Sequence, residues 1–387
     1  MPSVRASKWR KLPLSLTELC IDTTLRCGQS FRWRKIKDVW NCVLHGRLLS
    51  LRQDDNFLHY RVTWPRNRSS SQVDDTEALL KHYFSLRHNL TTLYDQWSES
   101  DPNFRKKAPK FTGIRILSQD AWETLIGFIC SSNNNISRIS QMVNKLCVHY
   151  GPLIGHVGDE PFHDFPSPQA LSGRKVEAHL RELGFGYRAK YIHETAIIVT
   201  ILKPEGWLES LTNPENPTWA SVRATESDKQ PTYKEAHEQL LQLSGVGPKV
   251  ADCVCLMGLG WGEAVPVDTH VLQIAQRDYN FGTTKTKTFS KVVYDSIGDH
   301  FRKLWGPQAG WAQSVLFTAN LKSFSDQAAG KSESVNVKTE VKQELVTESA
   351  PKTKKRRITA ITGQIKVEDD IPTETKTISR KRRKTRS

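Results

Sequence analysis

The chain has 387 residues, 37% of them apolar and including eleven Trp and fourteen Phe, which is enough for two or three domains with real cores. Fifty-six basic residues against 41 acidic ones give a net charge of +15. Such an excess points to a polyanionic partner, because Lys and Arg placed on phosphates displace condensed counterions. No apolar run is long enough to span a bilayer and no secretory segment is visible. The seven cysteines, none in C-x-x-C spacing, read as reduced thiols of an intracellular protein and exclude a zinc ribbon or iron–sulfur cluster.

Four short apolar runs predict strands: Phe31–Lys35, Val39–Leu44, Leu48–Arg52 and Phe57–Thr63. Polar or glycine-containing breaks at Lys37-Asp38 and Gly46-Arg47 separate them, as in an antiparallel meander. From Asp74 the pattern turns helical. Helices are expected at Ala121–Cys130, at Arg138–Tyr150 before the Gly151-Pro152 stop, around Lys175–Leu183, and at Arg188–Leu202 before Lys203-Pro204. Asn213–Gln230 reads as a surface loop, and Tyr233–Leu241 with Val250–Leu259 as a pair of short helices. After Ser325 large apolar residues almost vanish, so that segment is expected to be disordered. The predicted fold is α+β. An antiparallel β-sheet domain (1–115) precedes a helical domain (116–325) with a helix–hairpin–helix around 233–259, and a basic tail (326–387) follows.

The tail holds sixteen basic and nine acidic residues, a net +7, which leaves 40 basic and 32 acidic residues, a net +8, in residues 1–325. The folded part is therefore basic in its own right, which favours nucleic acid as the partner, with a solvated basic surface that has no partner as the alternative.

The most informative segment is Leu243-Ser-Gly245-Val-Gly247-Pro-Lys249. Two glycines let the backbone turn tightly and bring N–H groups near a ligand. Pro248 suits the first turn of the next helix, whose free N–H groups and positive dipole end then face outward as a phosphate-binding device. An ordinary helical hairpin is the alternative. Lys249, Cys253 and Met257 recur at every fourth position and share one helical face. A lysine at a helix N-terminus with its stem against apolar neighbours is disfavoured in its charged form. A neutral amine there could attack a sugar carbon and form a Schiff base; a surface phosphate contact is the plainer alternative. Asp268 precedes the apolar run Val271–Ala275, which suits an N-cap, and a carboxylate so held could also face a cationic sugar or help the lysine lose its proton. His270 suits either a phosphate donor or a partly buried helix residue.

Together these residues resemble the helix–hairpin–helix DNA glycosylase superfamily, with its Gly-Val-Gly-x-Lys and Pro-Val-Asp signature. Within it, the chain is similar to the eukaryotic 8-oxoguanine DNA glycosylases. The matching stretches are Gly28-Gln-Ser-Phe-Arg-Trp33, Phe128-Ile-Cys-Ser-Ser-Asn133-Asn-Asn-Ile-Ser-Arg138, Leu183-Gly-Phe-Gly-Tyr187-Arg188-Ala, Val250-Ala-Asp-Cys253-Val-Cys-Leu-Met257 and Trp311-Ala-Gln313-Ser-Val-Leu-Phe317. They span about residues 5–325 in order.

The resemblance implies excision of 8-oxoguanine opposite cytosine after the nucleotide is extruded from the duplex. It implies Lys249 as nucleophile on C1′, Asp268 as its carboxylate partner, and β-elimination that nicks the strand. Cys253 and Phe317 would sandwich the base, Gln313 would read its pairing edge, and Met257 and Pro266 would complete the pocket. The Gly28 carbonyl would accept from the N7–H that only the oxidised base carries. Asn133 would fill the vacated space with Tyr187 as wedge. Arg138 and Arg188 would donate to the acceptors of the orphaned cytosine. Phosphates would rest on Gly245, Gly247, Val250 and His270. No metal or organic cofactor is implied, and a monomer acting on damaged double-stranded DNA, away from membranes, is expected.

Ser244 departs from a position that is often proline in the family, and residues 204–231 and 280–300 match weakly, as loops would. Relatives acting on oxidised pyrimidines or mismatched adenine often carry four cysteines after the Asp, whereas none follows Cys255 here. A DNA-binding module without catalysis would not need Lys249, Asp268 and a Gln313/Phe317 pocket together. In the tail, Lys354–Arg357 and Arg380–Lys384 read as nuclear-import clusters, and Lys338, Lys342 and Lys366 sit in hydrophobic-Lys-x-Glu contexts that resemble SUMO-attachment sites. The expected address is the nucleus. The first seventeen residues, with four basic and no acidic side chains, also suggest some share in the mitochondrion.

Overall fold

A computed structural model of the chain describes residues 6–65, 73–219, 230–281 and 290–324. All of these belong to one compact unit, Met1–Glu333. The tail, with its import clusters and the lysines at 338, 342 and 366, lies outside the described residues, as does part of the loop expected at 213–230.

Five strands form an antiparallel sheet: β1 (Arg10–Pro13), β2 (Arg34–Ile36), β3 (Val39–Leu44), β4 (Arg47–Gln53) and β5 (Phe57–Thr63), in the order β1-β5-β4-β3-β2. Two-residue turns join β2 to β3 and β3 to β4. Their central residues, Lys37 (φ 49°) with Asp38 (φ 60°) and His45 (φ 47°) with Gly46 (φ 73°), are left-handed, the geometry that matches strand twist in a tight hairpin. Strand β1 is an addition to the expected meander. It is too short to carry a periodic signal, and Pro13 at its end is tolerated because β1 is an edge.

Both faces of the sheet are covered, so β3 and β4 are buried along most of their lengths. Cys42 pairs with Leu49 and Val43 with Leu48. Cys42 and Leu49 enter a core with Trp40, Leu51, Tyr60 and the helix α2 (Thr76–Tyr83), while Val43 and Leu48 pack on Phe162. Phe162 lies in a second hairpin, β6 (Leu153–Val157) and β7 (Glu160–His163), inserted after Gly151-Pro152.

The short α1 (Ile21–Thr24) precedes β2, and after α2 helices take over: α3 (Leu90–Ser100), α4 (Pro102–Lys107), α5 (Ala121–Ser131), α6 (Ile136–Tyr150), α7 (Pro168–Leu171), α8 (Val176–Glu182), α9 (Arg188–Ile197), α10 (Tyr233–Leu240), α11 (Pro248–Gly258), α12 (Thr269–Tyr279), α13 (Lys291–Trp305) and α14 (Ala309–Asn320). Local chemistry sets their starts. Asp120 caps α5, Asn135 caps α6 and Thr232 with Glu235 closes a capping box on α10. The α9 segment ends sooner than expected, because residues 198–202 widen into a π-helical turn. The loop expected over 280–300 is corrected for its second half: α13 begins at Lys291, capped by Ser290, and buries Tyr294, Ile297, Phe301 and Trp305 at helical spacing, while residues 282–289 lie outside the described residues. The helices share one core, in which α5 and α11 lie at the centre, buried along nearly their whole lengths.

Candidate active site

The site grows from the packing of α11 against α5. Pro248 is the first residue of α11 and Gly247 its N-cap, so Lys249 emerges on the first turn. Its ammonium lies 4.7 Å from the centroid of the Phe128 ring and 3.4 Å from Ser131 Oγ, both on α5. One turn further along α11 comes Cys253, and another turn brings Met257, both buried. Burial pushes the Cys253 thiol up to about 11, against the opposing pull of Lys249. It is therefore a neutral apolar wall rather than a reactive thiolate.

Asp268 caps α12, with Oδ1 accepting from the Val271 N–H at 2.9 Å. This cap holds the carboxylate in place without a lysine partner. The residue before this turn, Val267, is buried, and so is Pro266.

One cavity collects Lys249, Cys253, Met257, Pro266, Asp268, Gln313, Phe317 and Gly28. Gln313 is buried on α14, and among the described residues its amide makes no hydrogen bond, which leaves both of its polar ends to a ligand. Phe317, one helical turn along, presents its ring edge-on to His270, with centroids 5.8 Å apart at 88°. Gly28 has φ +92°, and a Cβ there would stand 3.1 Å from Ile136 Cδ1 and 4.0 Å from Phe317 Cε1. The backbone angle thus favours glycine, and a methyl group there would also press on the tip of the Ile136 side chain.

Lys249 and Asp268 also border a second cleft, whose walls include Asn133, Gly247, Val250 and His270. The two depressions meet at the proposed nucleophile and carboxylate. Gly247 has open space where a side chain would be, whereas a Cβ on Gly245 (φ +75°) would fall 2.5 Å from Tyr191 Cγ. The glycines of the hairpin therefore differ: Gly245 makes the turn against a packed ring, and Gly247 leaves the cleft side bare.

Asn133 sits exposed beside this cleft with φ +48°. Tyr187 reaches it from the N-terminus of α9, its hydroxyl donating to the Ser132 carbonyl at 3.0 Å. Arg188 is buried at 4% exposure, with one guanidinium nitrogen donating to the carbonyls of Ser132 and of Asn133 (3.2 Å), and with Nε unpartnered. Its carbon Cζ lies 4.6 Å from the Tyr187 ring centroid. Arg138 is exposed on the first turn of α6. The two arginines thus stand in different environments: Arg138 is open to solvent, while Arg188 is held on the chain's own carbonyls.

Several lining residues escape sequence reasoning. Phe128 and Ser131 approach Lys249 from α5, and Cys27, Gln29, Ser314 and Thr318 also border the cavity. Ser314 and Thr318 neighbour residues singled out on α14, and a helical projection around Gln313 would find them. Phe128 carries no such signal, since on an apolar helix it reads as core. All seven thiols are unpaired, and six of them are buried. Among the described residues no group of His, Cys, Asp or Glu could hold a metal ion, and no helix is long and apolar enough to cross a membrane.

Residues 11–125 match the N-terminal domain of 8-oxoguanine DNA glycosylases, and residues 126–293 match the HhH-GPD superfamily of base excision DNA repair proteins. The chain is 40% identical over 338 residues to an N-glycosylase/DNA lyase of Saccharomyces cerevisiae, covering 81% of this chain and 86% of the relative. It is 38% identical over 320 residues to an N-glycosylase/DNA lyase of Arabidopsis thaliana, covering 81% and 80%. Among solved structures, the 8-oxoguanine glycosylase/lyase of Clostridium acetobutylicum without DNA superposes with a TM-score of 0.64 at 25% identity, over 82% of this chain and 98% of that one. A helix–hairpin–helix that presents a lysine beside a capping aspartate, matched over most of its length by these relatives, places the chain in the eukaryotic 8-oxoguanine DNA glycosylase family, whose members are DNA glycosylases with abasic-site lyase activity.

Proposed function

We propose that this DNA glycosylase and lyase excises 8-oxoguanine paired with cytosine, through a Schiff base on Lys249. The observation that carries the reading is the meeting of two depressions at Lys249 and Asp268: one lined by Cys253, Gln313 and Phe317, suited to a base, and one lined by Gly247, Val250 and His270, suited to a backbone.

The damaged nucleotide leaves the stack, at a cost of about a few kcal/mol, and its base enters the cavity lined by Cys253, Gln313 and Phe317. Cys253 and Phe317 face its two sides, and the unpartnered amide of Gln313 takes its pairing edge. The Gly28 carbonyl accepts from N7–H; guanine, with a bare N7 acceptor, meets that carbonyl with repulsion. Phosphates flanking the site rest on the N–H groups of Gly245, Gly247 and Val250 and on His270. Asn133 and Tyr187 occupy the space the nucleotide vacates, and Arg138 and Arg188 donate to the cytosine left behind. For Arg188 this requires exchanging its bonds to the Ser132 and Asn133 carbonyls for bonds to the base.

The neutral amine of Lys249 attacks C1′ as the N-glycosidic bond breaks, and the bonding pair leaves with the base. Asp268 faces the cationic sugar that develops, a fixed negative charge where positive charge appears. Loss of the amine's protons and opening of the sugar ring give the imine. Removal of a 2′ proton then expels the 3′ phosphate, nicking the strand on the 3′ side of the lesion.

Borohydride reduces an imine to a stable amine, so the wild-type protein is expected to be trapped on duplex carrying 8-oxoguanine, and Lys249→Gln is not. A Lys249→Gln adduct, or none with wild type, overturns the Schiff base. Excision on duplexes differing only in the opposite base is expected to favour cytosine. Equal excision opposite adenine overturns the roles given to Arg138 and Arg188.

A further inference from the structure

We infer that Gln29 is a positioning residue that sets the place of the Gly28 carbonyl relative to Lys249; this rests on the base-reading role proposed above for Gly28. The wall carrying Gly28 belongs to the loop between α1 and β2, so no helix or strand fixes it. Its left-handed φ of +92° makes it still less self-determined. What holds it is a set of buried amide contacts.

Gln29 is 4% exposed, and each polar end of its side chain is used. Nε2 donates to the Arg115 carbonyl at 2.8 Å and reaches Cys27 Sγ at 3.4 Å, while Oε1 accepts from the Leu117 N–H at 3.0 Å. The carbonyl of Gln29 accepts from Gln119 Nε2 at 3.0 Å. The Gln119 N–H in turn donates to the Met257 carbonyl at 2.7 Å, in the last turn of α11. A continuous chain of hydrogen bonds therefore runs from the residue after Gly28 to the helix that bears Lys249 on its first turn and Met257 on its last. A glutamine buried this deeply would be disfavoured against an apolar residue of equal volume if stability were its whole purpose, unless each bond were made. Here each bond is made, and all of them converge on the loop that must present one carbonyl to one proton of the base.

A misplacement of about 1 Å in a reacting or reading group can cost ~100-fold in rate. Abasic sites offer a control, because an abasic sugar has no base for Gly28 to read and needs only Lys249 and the backbone cleft. The experiment compares wild type, Gln29→Met and Gln119→Met on two duplexes, one with 8-oxoguanine opposite cytosine and one with an abasic site, under single turnover at saturating enzyme. Gln29→Met keeps the side-chain volume and removes every side-chain hydrogen bond to the backbone. Gln119→Met removes only the donor to the Gln29 carbonyl. The expected result is a loss of ~10- to 100-fold in 8-oxoguanine excision by Gln29→Met, and a smaller loss by Gln119→Met, with abasic cleavage and borohydride trapping on abasic DNA kept near wild type. Unchanged lesion excision in both variants overturns the inference. So does a parallel fall on both duplexes, which is what a purely stabilising role gives. If Gln29→Met does not fold, Gln119→Met decides by the same criteria. Wild-type protein that leaves 8-oxoguanine untouched while cleaving the abasic site removes the base reading itself, and this inference with it. That failure shows in the wild-type arm alone and so is distinct from the others.

Discussion

Asp268 holds two positions at once, end of a turn and edge of the cavity, and its two contributions can be separated because they depend on different properties of the side chain. Capping needs an oxygen acceptor for the Val271 N–H, which asparagine supplies as well as aspartate. Electrostatic stabilisation of a cationic sugar needs the negative charge, which asparagine lacks. Asp268→Asn is therefore expected to unfold within about 0.5 kcal/mol of wild type, while base excision falls by ~100- to 1000-fold. Asp268→Ala removes both and is expected to lose about 1 kcal/mol of stability as well. Thermal unfolding and single-turnover excision on the three proteins check this. Equal activity in wild type and Asp268→Asn would mean that the carboxylate serves the helix alone. Cys253 illustrates the opposite case, in which chemistry is withheld: burial holds its thiol up near 11, so it offers the base a soft apolar surface instead of a competing nucleophile beside Lys249.

The hairpin between α10 and α11 is legible in the amino-acid sequence because glycine and proline act locally, and local rules are what a sequence carries most openly. What the sequence does not carry is the difference between the glycines, since that depends on Tyr191 arriving from α9, more than fifty positions earlier. The same limit explains β1 and the Gln29 ties, each of which is defined by a partner far along the chain; the β6–β7 hairpin pairs locally but draws its core contacts from Val43 and Leu48, more than a hundred positions earlier. The meander and the capped helices are readable for the converse reason: their turns and caps lie within a few residues of one another. The asymmetry of the glycines leads to paired expectations. Gly245→Ala forces a β-carbon into the Tyr191 ring at a left-handed φ and is expected to cost about 1–3 kcal/mol of stability. Gly247→Ala meets no neighbour and has φ −99°, so the stiffer unfolded chain and the loss of a favoured N-cap residue offset each other, and stability changes by less than about 1 kcal/mol. Its methyl group, however, stands on the bare side of the cleft and is expected to weaken DNA binding. Denaturant unfolding and binding to an abasic-site duplex distinguish the two. Tight binding by Gly247→Ala would take the phosphate away from this hairpin.

At the scale of the whole unit, the cavity has walls from two sources: the loop ahead of β2 supplies Gly28, and α11, α12 and α14 supply most of the rest. Its shape therefore depends on how firmly the sheet is fixed to the helices. One buried side chain bears much of that task. Arg32, four residues beyond Gly28, spreads a 5%-exposed side chain between Glu123 of α5, at 2.9 and 2.7 Å, and Asp164 after β7, at 3.3 Å, while also donating to the Val43 carbonyl of β3 at 2.7 Å. Burial raises the Glu123 carboxyl above its ordinary range despite the guanidinium, so that charge depends on Arg32 for its only nearby compensation among the described ion pairs. Asp164 is better provided, accepting from the Gly46 and Phe165 N–H groups at 2.8 Å each. Removing one partner of a buried pair leaves the other charge stranded, at a cost of about 3–5 kcal/mol, whereas removing both restores much of the loss. Arg32→Met is accordingly expected to lower the unfolding free energy by about 3–5 kcal/mol, and Arg32→Met with Glu123→Met by clearly less than that. Because Glu123 is stranded in the single variant, its protonation relieves the penalty, so Arg32→Met is expected to lose ground to wild type as pH rises and to regain it as pH falls through the raised Glu123 value. Urea unfolding of the four proteins of this double-mutant cycle, at two pH values, measures both effects. Additive losses with no pH dependence would mean that Arg32 contributes packing rather than charge, and that the sheet is held to the helices by its apolar faces alone.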